Sequence, residues 1–306
     1  MNKIFGWLLS GLFFLSSLQT TLACAFHGYN PNPTLVDVLL TTEQAVIARL
    51  DPANSQRYKV TEVLMGSEAP DIPVPVAANI RKTLAASPTN SILLARDGAY
   101  GPWMALTILD SRLQSVIKQV VHKQSAFNNG TGEARLAMFA KLVNDQSPAV
   151  RRLALQELDR APYNALQRAR LPKVQGLKQQ LETGDEALMP IRVLLAGLTE
   201  SQSFSGFMRD ELDLAIKGDI AYMGAYATAL VELEGKPAVE HLLQSHLSNK
   251  ALPLTTRTKL LQALSIQHKT APRATRRAIA QGVANLLHTS PELSESAAQF
   301  FGFRKG

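Results

Sequence analysis

The chain predicts an α+β fold in which a small β-rich segment precedes an all-α solenoid of helical hairpins. Three observations lead there. Apolar residues fall in short β-type runs before residue 110 and recur with a helical period from Ser111 onward. Pairs of turn-forming residues, Asp51-Pro52, Gly66-Ser67, Asp97-Gly98 and Gly101-Pro102, separate the short runs. Leucine and alanine dominate the second half of a chain that is 46% apolar, 19% charged and only 6% aromatic, which favours helices. The expected organisation is a leader over residues 1–25, a β-rich domain over 26–110 and a helical repeat domain over 111–306.

Residues 1–25 have the three parts of a secretory signal. Lys3 supplies the positive start, Ile4 to Leu15 is a nearly continuous apolar stretch, and Ser16 to Ala25 is small and polar. The strongly apolar core is shorter than the about 20 residues that span a bilayer, so cleavage is expected rather than anchoring. A cut after Ala25 places Ala23 and Ala25 at the minus-three and minus-one positions, and a cut before Cys24 uses Thr21 and Ala23. Export to a bacterial periplasm is the expected destination. Cys24 also resembles the acceptor of a bacterial lipoprotein, although Leu22 stands at minus two and Thr21 occupies a place that family gives to an aliphatic residue. That resemblance implies an envelope form anchored by lipid at Cys24, with membrane attachment only in that case. A single cysteine forms no internal disulfide, so stability rests on core burial.

Five β-type runs precede residue 110: Gln44–Leu50, Arg57–Leu64, Ile72–Val76, Ser91–Ala95 and Trp103–Leu109. In the second, Tyr58, Val60, Glu62 and Leu64 alternate with Lys59, Thr61, Val63 and Met65, the pattern of a half-buried strand. Pro73 and Pro75 demote the third to an edge strand. Thr34–Thr42 and Asn79–Ala86 read as short helices. A near-N-terminal cysteine, a strand, a hairpin and the turn Leu64-Met65-Gly66 together resemble the small OB-like barrels that open netrin-type modules, over about 80 residues. The disulfide cysteines of that family are absent. The resemblance implies a small β-barrel or curled sheet and carries no function.

Beyond Ser111, Val150, Leu153, Ala154 and Leu158 form one apolar stripe, with Arg151, Arg152, Glu157 and Arg160 on the other side. Further stripes follow at Ile191, Leu194, Leu195 and Leu198, at Tyr226, Ala229, Leu230 and Leu233, and at Leu260, Leu261 and Leu264. Matching Leu158 to Leu198, Leu233 and Leu264 gives steps of 40, 35 and 31 residues, the spacing of a helical-hairpin array. A hairpin cannot bury its stripe alone, whereas stacked hairpins share one core. The segment Asp145-Gln-Ser-Pro148-Ala-Val-Arg151-Arg-Leu153-Ala-Leu155-Gln-Glu-Leu158 resembles the start of a HEAT-repeat helix, where a proline, an arginine and an alanine-leucine stripe recur. The other units keep the stripe and lose the proline-arginine pair. The resemblance therefore covers about 190 residues as architecture and one unit as motif, and it implies a curved surface for a partner. Irregular helical hairpins are the alternative.

Enzymatic signatures are missing. No histidine is followed by glutamate, Glu240-His241 being the reverse, and His241 and His246 are five apart, not the four that aligns two ligands on an α-helix. No Gly-x-Ser-x-Gly, phosphate-cradling loop or Cys-His nucleophile pair is present, and His122, His268 and His288 are scattered. A non-catalytic protein without cofactor is expected. The net charge of +7, or +6 once Lys3 is removed, favours anionic surfaces, and export argues against nucleic acid. His268, Lys269, Arg273, Arg276 and Arg277 form the candidate binding cluster, which Arg304 and Lys305 extend. Phe204, Phe207, Tyr222 and Tyr226 are read as core rather than as a groove.

The first expectation is thus an exported binding or scaffold protein that uses a helical-repeat surface, its partner a protein or an anionic envelope component. A rival is a metal-handling envelope protein whose ligands are Cys24 and His27, a thiolate and an imidazole near a free α-amino group. The third is the lipoprotein anchored at Cys24. Intact-mass spectrometry of the exported protein is expected to show a start at Cys24 or at Phe26, and a diacyl mass increment on a Cys24 start identifies the lipoprotein.

Overall fold

The computed structural model describes residue 26 and residues 32–67, 72–98 and 101–302. A short helix, α1 (Leu35–Thr41), comes first. Thr34 caps it by accepting from the Asp37 amide, while the Asp37 carboxylate accepts from the Thr34 amide at 2.8 Å, a reciprocal box that satisfies two otherwise orphaned donors. Strands β1 (Gln44–Leu50), β2 (Tyr58–Met65), β3 (Ser91–Arg96) and β4 (Met104–Leu109) follow, with α2 (Ala78–Ala86) between β2 and β3. They form one antiparallel sheet in the order β2-β1-β3-β4.

The sheet is open, which corrects the barrel expectation. Its outer strands, β2 and β4, do not pair with each other, and even the smallest barrels use more strands than four. The run expected as an edge strand, Ile72–Val76, is not a strand. Pro73 and Pro75 lack donors for a ladder, and the Val74 amide bonds locally to the Ile72 carbonyl at 2.8 Å, so no fifth strand is available for closure.

Both faces of the central strands are buried. Ala45, Ile47, Leu93 and Ala95 join the helical side, whereas Val46, Ala48, Ile92 and Leu94 face Tyr58, Ile72, Val76, Leu84 and Trp103. This explains the unbroken apolar runs Ala45–Ala48 and Ile92–Ala95. The β1/β2 pairing slips at two places, between Ala45 and Val46 and between Ile47 and Ala48. As a result Tyr58 and Val60 pack in the outer cluster but Leu64 packs toward the helices, although strict alternation puts all three on one face.

The chain is largely helical from Ser111 onward. Helix α3 (Ser111–His122) is capped by Asp110, whose carboxylate accepts from the Leu113 amide at 2.6 Å and from the Ser147 hydroxyl at 2.7 Å. Ser147 in turn caps α6 (Pro148–Asp159), with Pro148 in the first turn where no amide donor is needed. Helices α4 (Gln124–Asn128) and α5 (Glu133–Ala140) lie between them, and α7 (Tyr163–Arg168) and α8 (Leu177–Thr183) follow. Then come α9 (Met189–Thr199), α10 (Ser205–Lys217), α11 (Met223–Glu234), α12 (Lys236–His241), α13 (Leu254–Thr270), α14 (Arg273–Thr289) and α15 (Ser294–Phe301).

Packing proceeds between alternate helices. Helix α6 contacts α9, α9 contacts α11, α11 contacts α13, and α13 contacts α15. A second set lies alongside, with α8 on α9, α10 and α12 on α11, and α14 on α12 and α13. Of the stripe residues, Val150, Leu153, Ala154, Leu158, Ile191, Leu194, Leu195, Tyr226, Ala229, Leu230, Leu260, Leu261 and Leu264 are buried, and Leu198 and Leu233, near the ends of α9 and α11, are half-buried. Helices α9 and α11 go beyond stripes, being buried without interruption over Met189–Gly197 and Met223–Val231, as helices flanked on all sides must be. One hydrophobic cluster runs from Val36 and Ile47 to Ala297, so sheet and helices share a core. No helix among the described residues is long and apolar enough to cross a membrane.

Charge fastens α1 to this core. Arg135 on α5 donates to Asp37 Oδ1 at 2.8 Å and to the Thr34 hydroxyl at 3.2 Å, and its Nε reaches Glu157 on α6. Arg160 Nε lies 2.9 Å from Asp37 Oδ2. Burial opposes ionisation of Asp37, but the Thr34 amide, the Arg135 guanidinium and the Arg160 charge prevail and hold its carboxyl below the usual range. Asp145 is likewise held low, chiefly by the hydrogen bond from Arg112 and also by the Ser147 amide.

Two outcomes are expected. A carboxylate with a depressed folded-state pKa contributes stability above its unfolded value, near pH 4, and loses that contribution as pH falls through the folded value. The stability difference between wild type and Asp37→Asn, measured by urea unfolding, should therefore be constant at neutral pH and shrink below about pH 4. The second concerns Gly197, where an added Cβ would stand 2.6 Å from the Ala229 Cα. Gly197→Ala gains about 1 kcal/mol of helix propensity but forces α9 and α11 apart at a cost of about 1–3 kcal/mol. A lower urea midpoint is expected in spite of the better helix former.

Candidate functional site

The basic cluster expected from sequence straddles the corner between α13 and α14. His268 and Lys269 end α13, where cations suit the negative end of the helix dipole. Arg273, Arg276 and Arg277 occupy the first turns of α14, which contain no acidic residue. Three cations there oppose the dipole, each by about 0.3–1 kcal/mol at an exposed position. Lys269 and the three arginines are exposed, and among the described residues no carboxylate pairs with them. His268 lies against Phe301, ring centroids 5.5 Å apart. Burial, then the charges of Arg276 and Lys269, lower its pKa, so it is neutral at pH 7 and adds shape more than charge.

Cys24 and His27 lie outside the described residues, as do Arg304 and Lys305. The aromatic set packs inward as read from sequence. Tyr226 is buried, Tyr222 lies 6.1 Å from it between ring centroids, and Phe204 and Phe207 meet edge to face at 5.2 Å against the core.

A second constellation lies on α10 and α12. The chain widens after α12 into a π-helical segment, Leu242–Leu247, in which the Ser248 amide donates to the Leu243 carbonyl at 3.0 Å. Residues five apart are separated by about 140° around an α-helix, whereas π winding brings i and i+5 one above the other. His241 and His246 consequently meet, with ring centroids 5.1 Å apart and planes at 89°. The reading that a five-residue spacing separates them is corrected by this winding. Asp213 on α10 approaches the pair, its Oδ1 3.2 Å from His246 Nε2. One ligand atom from each of the three residues lies within 4.8 Å of the others, and among the described residues this is the one group able to hold a metal ion.

The two imidazoles are neutral at pH 7. Burial lowers both, aided at His241 by the Arg209 charge and at His246 by His241, against the opposing pull of Asp213. Arg209 is itself paired with Glu234. His241 Nδ1 has the Ser245 hydroxyl at 3.3 Å, while its Nε2 and the Nε2 of His246 are buried without a well-formed hydrogen bond, the latter having only Asp213 Oδ1 at 3.2 Å. Each such orphan costs about 1–3 kcal/mol. No local sequence feature announces π winding, which is why this group was missed.

Tyr163, Gln167 and Gln267 all donate to Glu232 Oε2, at 2.8, 2.8 and 3.1 Å. Burial and the Glu232 charge push the Tyr163 phenol well up, so it stays protonated and ties α7 to α11 by donating to Glu232 and to α13 by accepting from Gln267 at 3.0 Å. Comparison of the chain with protein-family models, with curated proteins and with solved structures finds no match.

Proposed function

We propose that this chain is a non-catalytic, exported binding or scaffold protein, its helical region a HEAT-like α-solenoid and its docking site the basic corner of α13 and α14. The observation that carries the reading is the exposure of Lys269, Arg273, Arg276 and Arg277, with no carboxylate paired to them among the described residues, at a place where the helix dipole disfavours three of them. Cations that neither pair locally nor suit their helix are best satisfied by an anion from outside. Alternating helix contacts along the chain support the solenoid, because successive hairpins sharing one core form an extended surface for a partner. The partner chemistry is acidic: a carboxylate-rich protein surface or an anionic envelope component.

Arg273→Ala/Arg276→Ala/Arg277→Ala tests it. All three side chains are exposed and disfavoured by the helix dipole, so the variant should fold with an unfolding midpoint no lower than that of wild type. Affinity for polyglutamate, measured by fluorescence anisotropy at about 0.1 M salt, should fall at least about tenfold, and wild-type binding should weaken steeply as salt rises. Unchanged binding by the triple variant removes the docking site. Turnover that single polar substitutions abolish would remove the non-catalytic reading.

A further inference from the structure

We propose that Asp213, His241 and His246 form a binding site for a divalent transition-metal ion of the zinc class, which ties α10 to the π-wound end of α12. The site is independent of the basic corner and of Cys24 and His27.

Its donor set is two imidazole nitrogens and one carboxylate oxygen. That set selects Zn²⁺ and its first-row neighbours over Mg²⁺ and Ca²⁺, which require oxygen ligands. A tetrahedral ion with bonds of about 2.0–2.1 Å holds its ligand atoms about 3.4 Å apart. Asp213 Oδ1 and His246 Nε2 are already at 3.2 Å. The widest ligand separation in the group, at most 4.8 Å, closes by a shift of about 1.4 Å. Three protein ligands leave the fourth position to water.

An ordinary ion pair between Asp213 and His246 does not account for the arrangement. It leaves His241 Nε2 buried with no partner and gives His246 Nε2 only the 3.2 Å contact with Asp213. One cation satisfies both nitrogens and the carboxylate together. If the Nδ1 of His241 carries its proton toward Ser245 Oγ, its Nε2 presents the lone pair inward, the outer-sphere support that ligating histidines commonly have. The backbone points the same way, since single π turns inside helices recur at functional sites, and here the turn is what aligns the two histidines. The charged groups nearby do not repel the ion on balance, because Arg209 is held by Glu234. Asp213 is 55% exposed on its side chain and His246 12%, which gives the ion a route from solvent to a mostly enclosed seat.

The test uses the whole exported protein stripped with chelator and dialysed against Zn²⁺ in the presence of millimolar Mg²⁺. About one equivalent of zinc is expected, with a rise in unfolding midpoint that chelator reverses. Co²⁺ in place of Zn²⁺ should give the intense visible bands of a four-coordinate ion and no thiolate charge-transfer band. Asp213→Ala and His246→Ala should each weaken Zn²⁺ binding at least about tenfold, while Cys24→Ala/His27→Ala leaves it unchanged. Should His246→Ala fail to fold, the exposed Asp213 still decides. Wild-type affinity in Asp213→Ala, loss of zinc in Cys24→Ala/His27→Ala, or no bound zinc at all would overturn the proposal.

Discussion

Gly197 and Ala229 bring α9 and α11 so close that no further side-chain atom fits between them, and the helical region is assembled outward from that contact. Close approach of two backbones requires small residues at the crossing. It also leaves both helices without a solvent face, because α6, α8, α10, α12 and α13 enclose them. The same device recurs at Gly282, where α14 makes room for Leu243 of the π segment. Packing at these two crossings thus sets how closely α9 approaches α11 and α14 approaches the π segment.

The sheet depends on the helices as much as they depend on each other. Its inner face has no core of its own, since Ala45, Ile47, Leu93 and Ala95 are covered by the same cluster that contains Leu113, Val116 and Val150. Polar contacts reinforce the junction in the places where the chain changes direction. Asp110 caps α3 and accepts from the capping serine of α6, and Arg135 brings α1, α5 and α6 to one guanidinium. An arginine serves here because its planar fork offers donors in several directions at once, which an ammonium on a flexible stem does not.

Two surfaces with distinct chemistry result. The α13–α14 corner is a field of positive charge with no carboxylate paired to it among the described residues, and such a field acts at the range of a Debye length without demanding a fixed geometry. The Asp213, His241 and His246 group is local and directional, and its properties depend on ångström-level placement of three side chains from two helices. Positive charge of the first kind is visible in composition. Placement of the second kind is created only when α10 packs near a helix that has been widened by one residue per turn.

Much of the architecture was legible in sequence. Period-two and helical patterns located β1, β2, β3, β4 and the helix starts near Ser111 and Pro148, because burial of one face leaves a periodic trace and because Asp110, Ser147 and Pro148 are local capping signals. The basic cluster was legible for the same reason, its charges lying close together along the chain. Sheet closure was not, since it depends on whether Ile72–Val76 finds a partner, and two prolines together with a local turn decide against it. Nor was the split of Val60 and Leu64 onto opposite faces, which follows from register slips set by the neighbouring strand. The pairing of His241 with His246 lay furthest from view. Sequence alone determined the identities and the spacing of five. Only tertiary structure decided that the backbone winds from i to i+5 there, and that winding turns two separated imidazoles into neighbours facing Asp213.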